Sequence, residues 1–246
     1  QRIKMTKDKV GLNNLSVKMK EDSAHFIFDT GANLSTTVRS VAKRFKMKML
    51  EGEIEVGTIT GKTVNAQLAV CKELKMGNIV LNNVIFLVFE DADLAFAEID
   101  YQIYGILGYP VIEAFKEIQI TKDGHFIVPE IETKYDGESN LALDNLQPIV
   151  RLDGRHFSLD TGATNSMLYY KYFEENKKFI EKYLEKSTVQ LGGAGGATVF
   201  ESYKIDFPME VDGKSIFLKK IDILTADKDE KWKQLYGNLG QDLISQ

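Results

Sequence analysis

Two aspartates stand in the same four-residue setting, Asp29-Thr30-Gly31-Ala32 and Asp160-Thr161-Gly162-Ala163, each at the end of a largely apolar run. A carboxylate in that position is costly to bury unless a neighbour satisfies it. One copy alone also reads as a strand entering an Asp-containing turn, because Asp and Gly favour turns for local reasons. Two copies allow a chemistry that one does not. Carboxylates a few ångströms apart in a low-dielectric site cannot both ionise easily, so they share one proton and titrate as a pair. The ionised member can take a proton from water while the protonated member donates to a carbonyl oxygen under attack. Each glycine lets the backbone turn tightly and approach its mate. Each threonine hydroxyl can hydrogen-bond across to the opposite loop.

The setting belongs to a longer repeat. HFIFDTGANLS (25–35) returns as HFSLDTGATNS (156–166), and YGILGYPVI (104–112) returns as YGNLGQDLI (236–244). The offset is 131 residues from Asp29 to Asp160 and 132 from Gly105 to Gly237. Two motifs recurring in order at one spacing predict a duplicated lobe. The division is an N-terminal lobe over 1–130, a polar linker over 131–147 and a C-terminal lobe over 148–246. Each aspartate is approached by a hairpin, and Asp153-Gly154 is a strong two-residue turn signal. After the first motif the pattern gives a basic helix around 38–48 and strands from 52–70. After the second it gives a helix around 168–186, apolar at 169, 173, 180 and 184, and strands through 187–207. Glycine-containing hairpin tips fall at Thr58, Ile59, Thr60 and Gly61 and at 192–196, with Gly193, Ala194 and Gly195 at the second. The run IVLNNVIFLVF (79–89) reads as two strands meeting at Asn82-Asn83, and 113–128 as helix then strand.

Composition sets the bounds. The 246 residues are 43% hydrophobic and 27% charged, as in a globular protein with a sizeable core. A net charge of −5 gives no support for a nucleic-acid binder, which usually carries a basic stripe. No run is apolar over the roughly 18 to 20 residues that span a bilayer. The single cysteine, Cys71, cannot form an internal disulfide and reads as a small buried hydrophobe. The chain begins with Gln1 instead of Met, so removal of an N-terminal segment is expected.

With both motifs in view, the chain resembles the bacterial retropepsin-like aspartic proteases, with both lobes in one chain as in pepsin. The resemblance covers nearly the whole sequence and rests on the two Asp-Thr-Gly-Ala motifs, each followed about 76 residues later by a glycine element. It implies a mainly β fold of two homologous acid-protease barrels related by a pseudo-two-fold, each with one or two short helices. It implies a monomeric aspartic endopeptidase acting on extended peptides, with no cofactor, metal or nucleic acid. The shared proton of such a dyad is an established property of aspartic proteases and is carried over here as such. By the same carry-over Asp29 and Asp160 are catalytic. Thr30, Gly31, Ala32, Thr161, Gly162 and Ala163 support the catalytic loops. Ile106-Leu107-Gly108 packs beneath the first of them, and the two hairpin tips are substrate-covering flaps. Export to the periplasm or cell surface is implied as well.

The sequence also departs from the pattern. The second glycine element has Asn238 where the first has Ile106, and Gln241-Asp242 where the first has Tyr109-Pro110, with Asp242 expected at an exposed helix start. The second lobe has no counterpart of 113–128, which is read as continuation of the natural protein beyond Gln246. No flap tyrosine of the pepsin kind is assignable. GTITGKT (57–63) is one residue too short between glycines for a phosphate loop, and LGGAGGATV (191–199) follows no strand–turn–helix pattern. His25 and His156 lie four residues before the aspartates, roughly 13 Å along a strand, and are strand positions. Three scattered histidines make no zinc motif. The sequon at Asn33 falls in the first aspartate loop, where a glycan would not fit. Two other functions remain open on these residues: a peptide-binding scaffold without turnover, and a protease that needs processing. Retention of both aspartates argues for an active enzyme.

Overall fold

Apolar residues alternate along most of the strands, and the alternation places one face of each sheet inward. The computed structural model describes residues 1–58, 61, 63–134, 136–227 and 230–246. It is mainly β, in two lobes.

In the N-terminal lobe the hairpin Asn13–Met19 and Asp22–Phe28 delivers Asp29. Strand Gly105–Leu107 lies parallel to the second arm, with Ile106 opposite Ile27 and Leu107 opposite Phe28. Its other edge takes strand Thr36–Val38, which pairs in turn with Ile79–Phe89. The long strand Thr63–Met76 completes the sheet and pairs back at Lys75 to Lys18, closing a barrel. The barrel holds a core of Phe26, Phe28, Phe45, Phe86 and Phe89 with aliphatic neighbours, and Phe126 packs against Phe28. At about 25 cal/mol per Å² of apolar area, burying five phenylalanines is a dominant stabilising contribution.

The C-terminal lobe repeats this order. Strands Gln147–Leu152 and Arg155–Leu159 form the hairpin that delivers Asp160. Strand Gly237–Leu239 runs parallel to the second arm, and Met167–Leu168 pairs with its far edge. Lys214–Leu224, Gly196–Val211 and Lys186–Gly193 follow in sequence across the sheet. Helix Tyr170–Tyr183 covers this sheet, burying Phe173 and Ile180 on one face.

Several expectations need correction. Residues 79–89 form one strand, not two. Asn83 takes a left-handed φ of 56° inside the ladder, which Asn tolerates, and the reversal happens earlier at the Gly77 turn. Within the linker, Leu141–Asp144 forms an edge strand on the C-terminal sheet, paired to Gln147–Leu152. All four of its residues are exposed, so no burial pattern announced it. The first basic helix is short, Arg39–Arg44. Over 113–128 the helix comes earlier, at Tyr109–Glu113 with Pro110 in its first turn. Short strands Gln119–Ile120 and His125–Ile127 follow.

Candidate active site

The two parallel strand pairs bring their aspartates to the lobe interface in the same way. The Asp29 backbone N–H donates to the Leu107 carbonyl (3.1 Å), and that of Asp160 donates to Leu239 (2.9 Å). Each carboxylate is then fixed by its own loop. Gly31 N–H donates to Asp29 Oδ1 and Gly162 N–H to Asp160 Oδ1, both at 2.8 Å.

The threonines cross over. Thr30 N–H donates to Thr161 Oγ1 and Thr161 N–H to Thr30 Oγ1, each at 3.0 Å. Each hydroxyl then donates onward into the other lobe, Thr30 to the Leu159 carbonyl (2.6 Å) and Thr161 to that of Phe28 (2.7 Å). Both threonines are buried, so these reciprocal bonds satisfy groups that would otherwise be costly. The glycines are equally constrained. A Cβ on Gly31 would stand 2.7 Å from the Asp160 carboxyl carbon, and one on Gly162 would stand 2.3 Å from that of Asp29.

Beneath each loop a serine holds the glycine element. Ser35 Oγ accepts from Gly108 N–H (3.0 Å) and Ser166 Oγ from Gly240 N–H (2.9 Å). The Ala32 and Ala163 carbonyls accept from the N–H groups of Tyr109 and Gln241. Both serines end the eleven-residue repeat, so the repetition itself was the signal that could have found them. Asp242 is not idle at its helix start: its Oδ1 accepts from Ser166 N–H (2.8 Å) and Oγ–H (2.6 Å). Gln241 is buried and bridges three elements, donating to the Thr161 carbonyl and accepting from Asn13 Nδ2, both at 2.7 Å.

Electrostatics couple the aspartates. Both sit in the interface, partly open to water and otherwise surrounded by protein. Burial holds the Asp29 carboxyl well above its ordinary range, and the charge and hydrogen bond of Asp160 beside it push the same way, against the bonds from Gly31 and Ala32 N–H. Burial also raises Asp160, but hydrogen bonds from Asp29, Gly162 N–H and Asn238 oppose the rise. Both carboxyls are thus raised, and two so close share one proton.

The hairpins differ. In the N-terminal one, strands Ile54–Gly57 and Thr63–Met76 pair up to Gly57 and Thr63. Gly61 N–H donates to the Thr58 carbonyl at the tip (2.9 Å), while Ile59 and Thr60 lie outside the described residues. In the C-terminal one, Gly193 pairs with Gly196 around an Ala194-Gly195 turn. That tip reaches the opposite lobe: Gly195 N–H donates to the Asp93 carbonyl (3.0 Å), and Ala194 packs on the N-terminal core. Gly192 lies against the Phe96 ring. Among the described residues, no cluster of His, Cys, Asp and Glu has the makings of a metal site. Among the same residues, no helix is long and apolar enough to cross a membrane.

Residues 15–111 match the family model described as aspartyl protease. That span holds Asp29-Thr30-Gly31 and Ile106-Leu107-Gly108, the two elements that meet under the first aspartate. The chain resembles a retropepsin-like aspartic protease. Among solved structures it aligns with a retropepsin-like aspartic protease from Rickettsia conorii at 20% identity and a TM-score of 0.38, covering 52% of this chain and 98% of that one. None of the curated proteins compared with it matches. The family match supports aspartic protease activity in general.

Proposed function

We propose that the chain is an aspartic endopeptidase in which Asp29 and Asp160 form one catalytic unit. The observation that carries this reading is the reciprocal Thr30–Thr161 bonding, which fixes two loops from different lobes so that each aspartate faces the other's glycine. Such a frame holds reacting groups without reorganisation at the moment of reaction.

In the reaction, ionised Asp160 removes a proton from a water molecule as its oxygen bonds to the scissile carbonyl carbon. Protonated Asp29 gives its proton to the carbonyl oxygen, leaving a neutral tetrahedral diol. Collapse returns one diol proton to Asp29, breaks the carbon–nitrogen bond and passes the Asp160 proton to the departing amine. The products are a carboxylic acid and an amine, and the dyad is restored. The substrate is an extended peptide beneath the hairpins, its main chain supplying affinity and its side chains selectivity.

The test is cleavage of a mixed peptide library from about pH 3 to about pH 8 by the wild type, Asp29→Asn and Asp160→Asn. The expected result is cleavage by the wild type and a loss of about 10²–10⁴-fold or more in each variant. A wild type that cuts nothing, or a variant that still cuts at full rate, would overturn the reading.

A further inference from the structure

The two lobes place different chemistry at one matched position. In the N-terminal lobe, Ile106 pairs with Ile27 beside Asp29. In the C-terminal lobe the same pair is Asn238 and Ser158 beside Asp160. Both polar residues are buried, at 4% and 0% exposure, where a polar group must find partners. They find each other and the aspartate. Ser158 Oγ–H donates to Asn238 Oδ1 (2.5 Å), which turns the amide so that Asn238 Nδ2 donates to Asp160 Oδ2 (3.3 Å). The Ser158 hydroxyl is backed by Tyr169, whose buried phenol lies against it and stacks on Trp232 at 4.7 Å. Asp29 has no such donor from the matched side, because Ile106 offers only a hydrocarbon.

We propose that Asn238 is a positioning residue that makes the two aspartates unequal, donating to Asp160 so that Asp160 carries the charge and Asp29 the shared proton. The inference rests on the endopeptidase reading, to which it adds the direction of proton flow. A near-symmetric dyad has no intrinsic reason to choose its acid. A donor on one side chooses it, because hydrogen bonding to the charged form of a carboxyl favours that form. Among the described residues, the titratable groups set against Asp160 are Asp29 across the interface and the Tyr169 phenol, which burial keeps protonated and neutral. Neither supplies a positive charge that would do the same work.

The test is Asn238→Leu, which keeps the shape and removes the donor, while Ser158 retains the Gly237 carbonyl as an acceptor at 3.4 Å. Ser158→Ala is the milder partner variant, removing only the hydroxyl that turns the amide. The primary readout is NMR titration of aspartates labelled at the carboxyl carbon, assigned with the two Asp→Asn variants, and it needs no turnover. The expected result is that Asp160 titrates first in the wild type. Its titration rises by about one pH unit in Asn238→Leu, and by less in Ser158→Ala. The acid limb of kcat/KM then moves up equally, an approximately tenfold loss of activity below it. An Asp160 titration unmoved in both variants, or Asp29 titrating first in the wild type, would overturn the assignment. If the titrations behave as expected and no peptide is cut, the endopeptidase reading fails and the inequality stands as a property of the pair. If peptides are cut and the acid limb stays put, the reverse holds.

Discussion

Gly162 faces Asp29 across the lobe interface with no room for a methyl group, since a Cβ there would lie 2.3 Å from the carboxyl carbon and 2.4 Å from both oxygens. Gly31 stands in the same relation to Asp160, slightly less tightly. Gly162→Ala must therefore push Asp29 out of place or part the loops. Overpacking of this kind costs typically about 1–3 kcal/mol. The expected outcome is a folded protein with a lower melting temperature and at least a 100-fold loss of peptidase activity, checked by calorimetry beside the cleavage assay. Gly31→Ala should behave alike with a smaller stability cost.

Stability should depend on Asp29 in a pH-specific way. Its carboxyl is raised in the folded state, so the folded protein holds a proton that the unfolded chain releases near pH 4. The stability gained from this group is full below about pH 4 and is lost as pH rises through the folded-state value. Asp29→Asn should then melt higher than wild type at neutral pH, by about 2–4 °C for each kcal/mol recovered, and lose that advantage in acid. Melting curves of both proteins across the pH range decide it. A constant difference at all pH values would contradict the assignment.

The threonine exchange is the next target. Thr161→Val removes the bond to the Phe28 carbonyl and leaves the buried Thr30 N–H without its acceptor. A buried donor left unsatisfied costs about 1–3 kcal/mol. Urea midpoints should show a loss of that size for Thr161→Val, and of less than about half as much for Thr161→Ser, which keeps the hydroxyl.

Cys71 is fully buried, its thiol reaching the Glu73 carbonyl at 3.4 Å, and burial pushes it up to about 11. Reaction with a thiol reagent near about pH 8 should be negligible in the folded protein and complete in denaturant. Fast labelling of the native form would show that the N-terminal barrel opens locally.

The parts of the site that could be read in the sequence are those carried by repetition. The Asp-Thr-Gly-Ala pair and the downstream glycines recur at one spacing, and the structure brings both sets to the same interface. What repetition could not give are residues where the lobes differ. Asn238 and Ser158 are 80 positions apart and meet only through a parallel register, and each replaces an isoleucine of the other lobe. Read singly, they look like losses from an apolar pattern. Asp242 looked exposed because its partner Ser166 is 76 residues away. The 79–89 run misled for a local reason, since an Asn-Asn pair signals a turn in most settings but here only kinks a strand. Leu141–Asp144 escaped notice because an edge strand with four exposed residues looks like linker.

The threonine exchange also sets a clock. Its bonds join residues 131 positions apart, and the Asn13–Gln241 bond spans 228. A nascent chain grows at about 5–20 residues per second, so Asp29 emerges on the order of ten seconds before the loop that must grip it. Contacts this distant in sequence also form late because closing a long loop is entropically costly. The N-terminal barrel can bury its phenylalanines in that interval, yet half of its aspartate loop's bonding waits on the other lobe. Ribosome-held chains that stop short of Gln241 are accordingly expected to be inert. The proposed hydrolase thus stays disarmed while it is being synthesised, and acquires its chemistry only when nearly the whole of this sequence has been made.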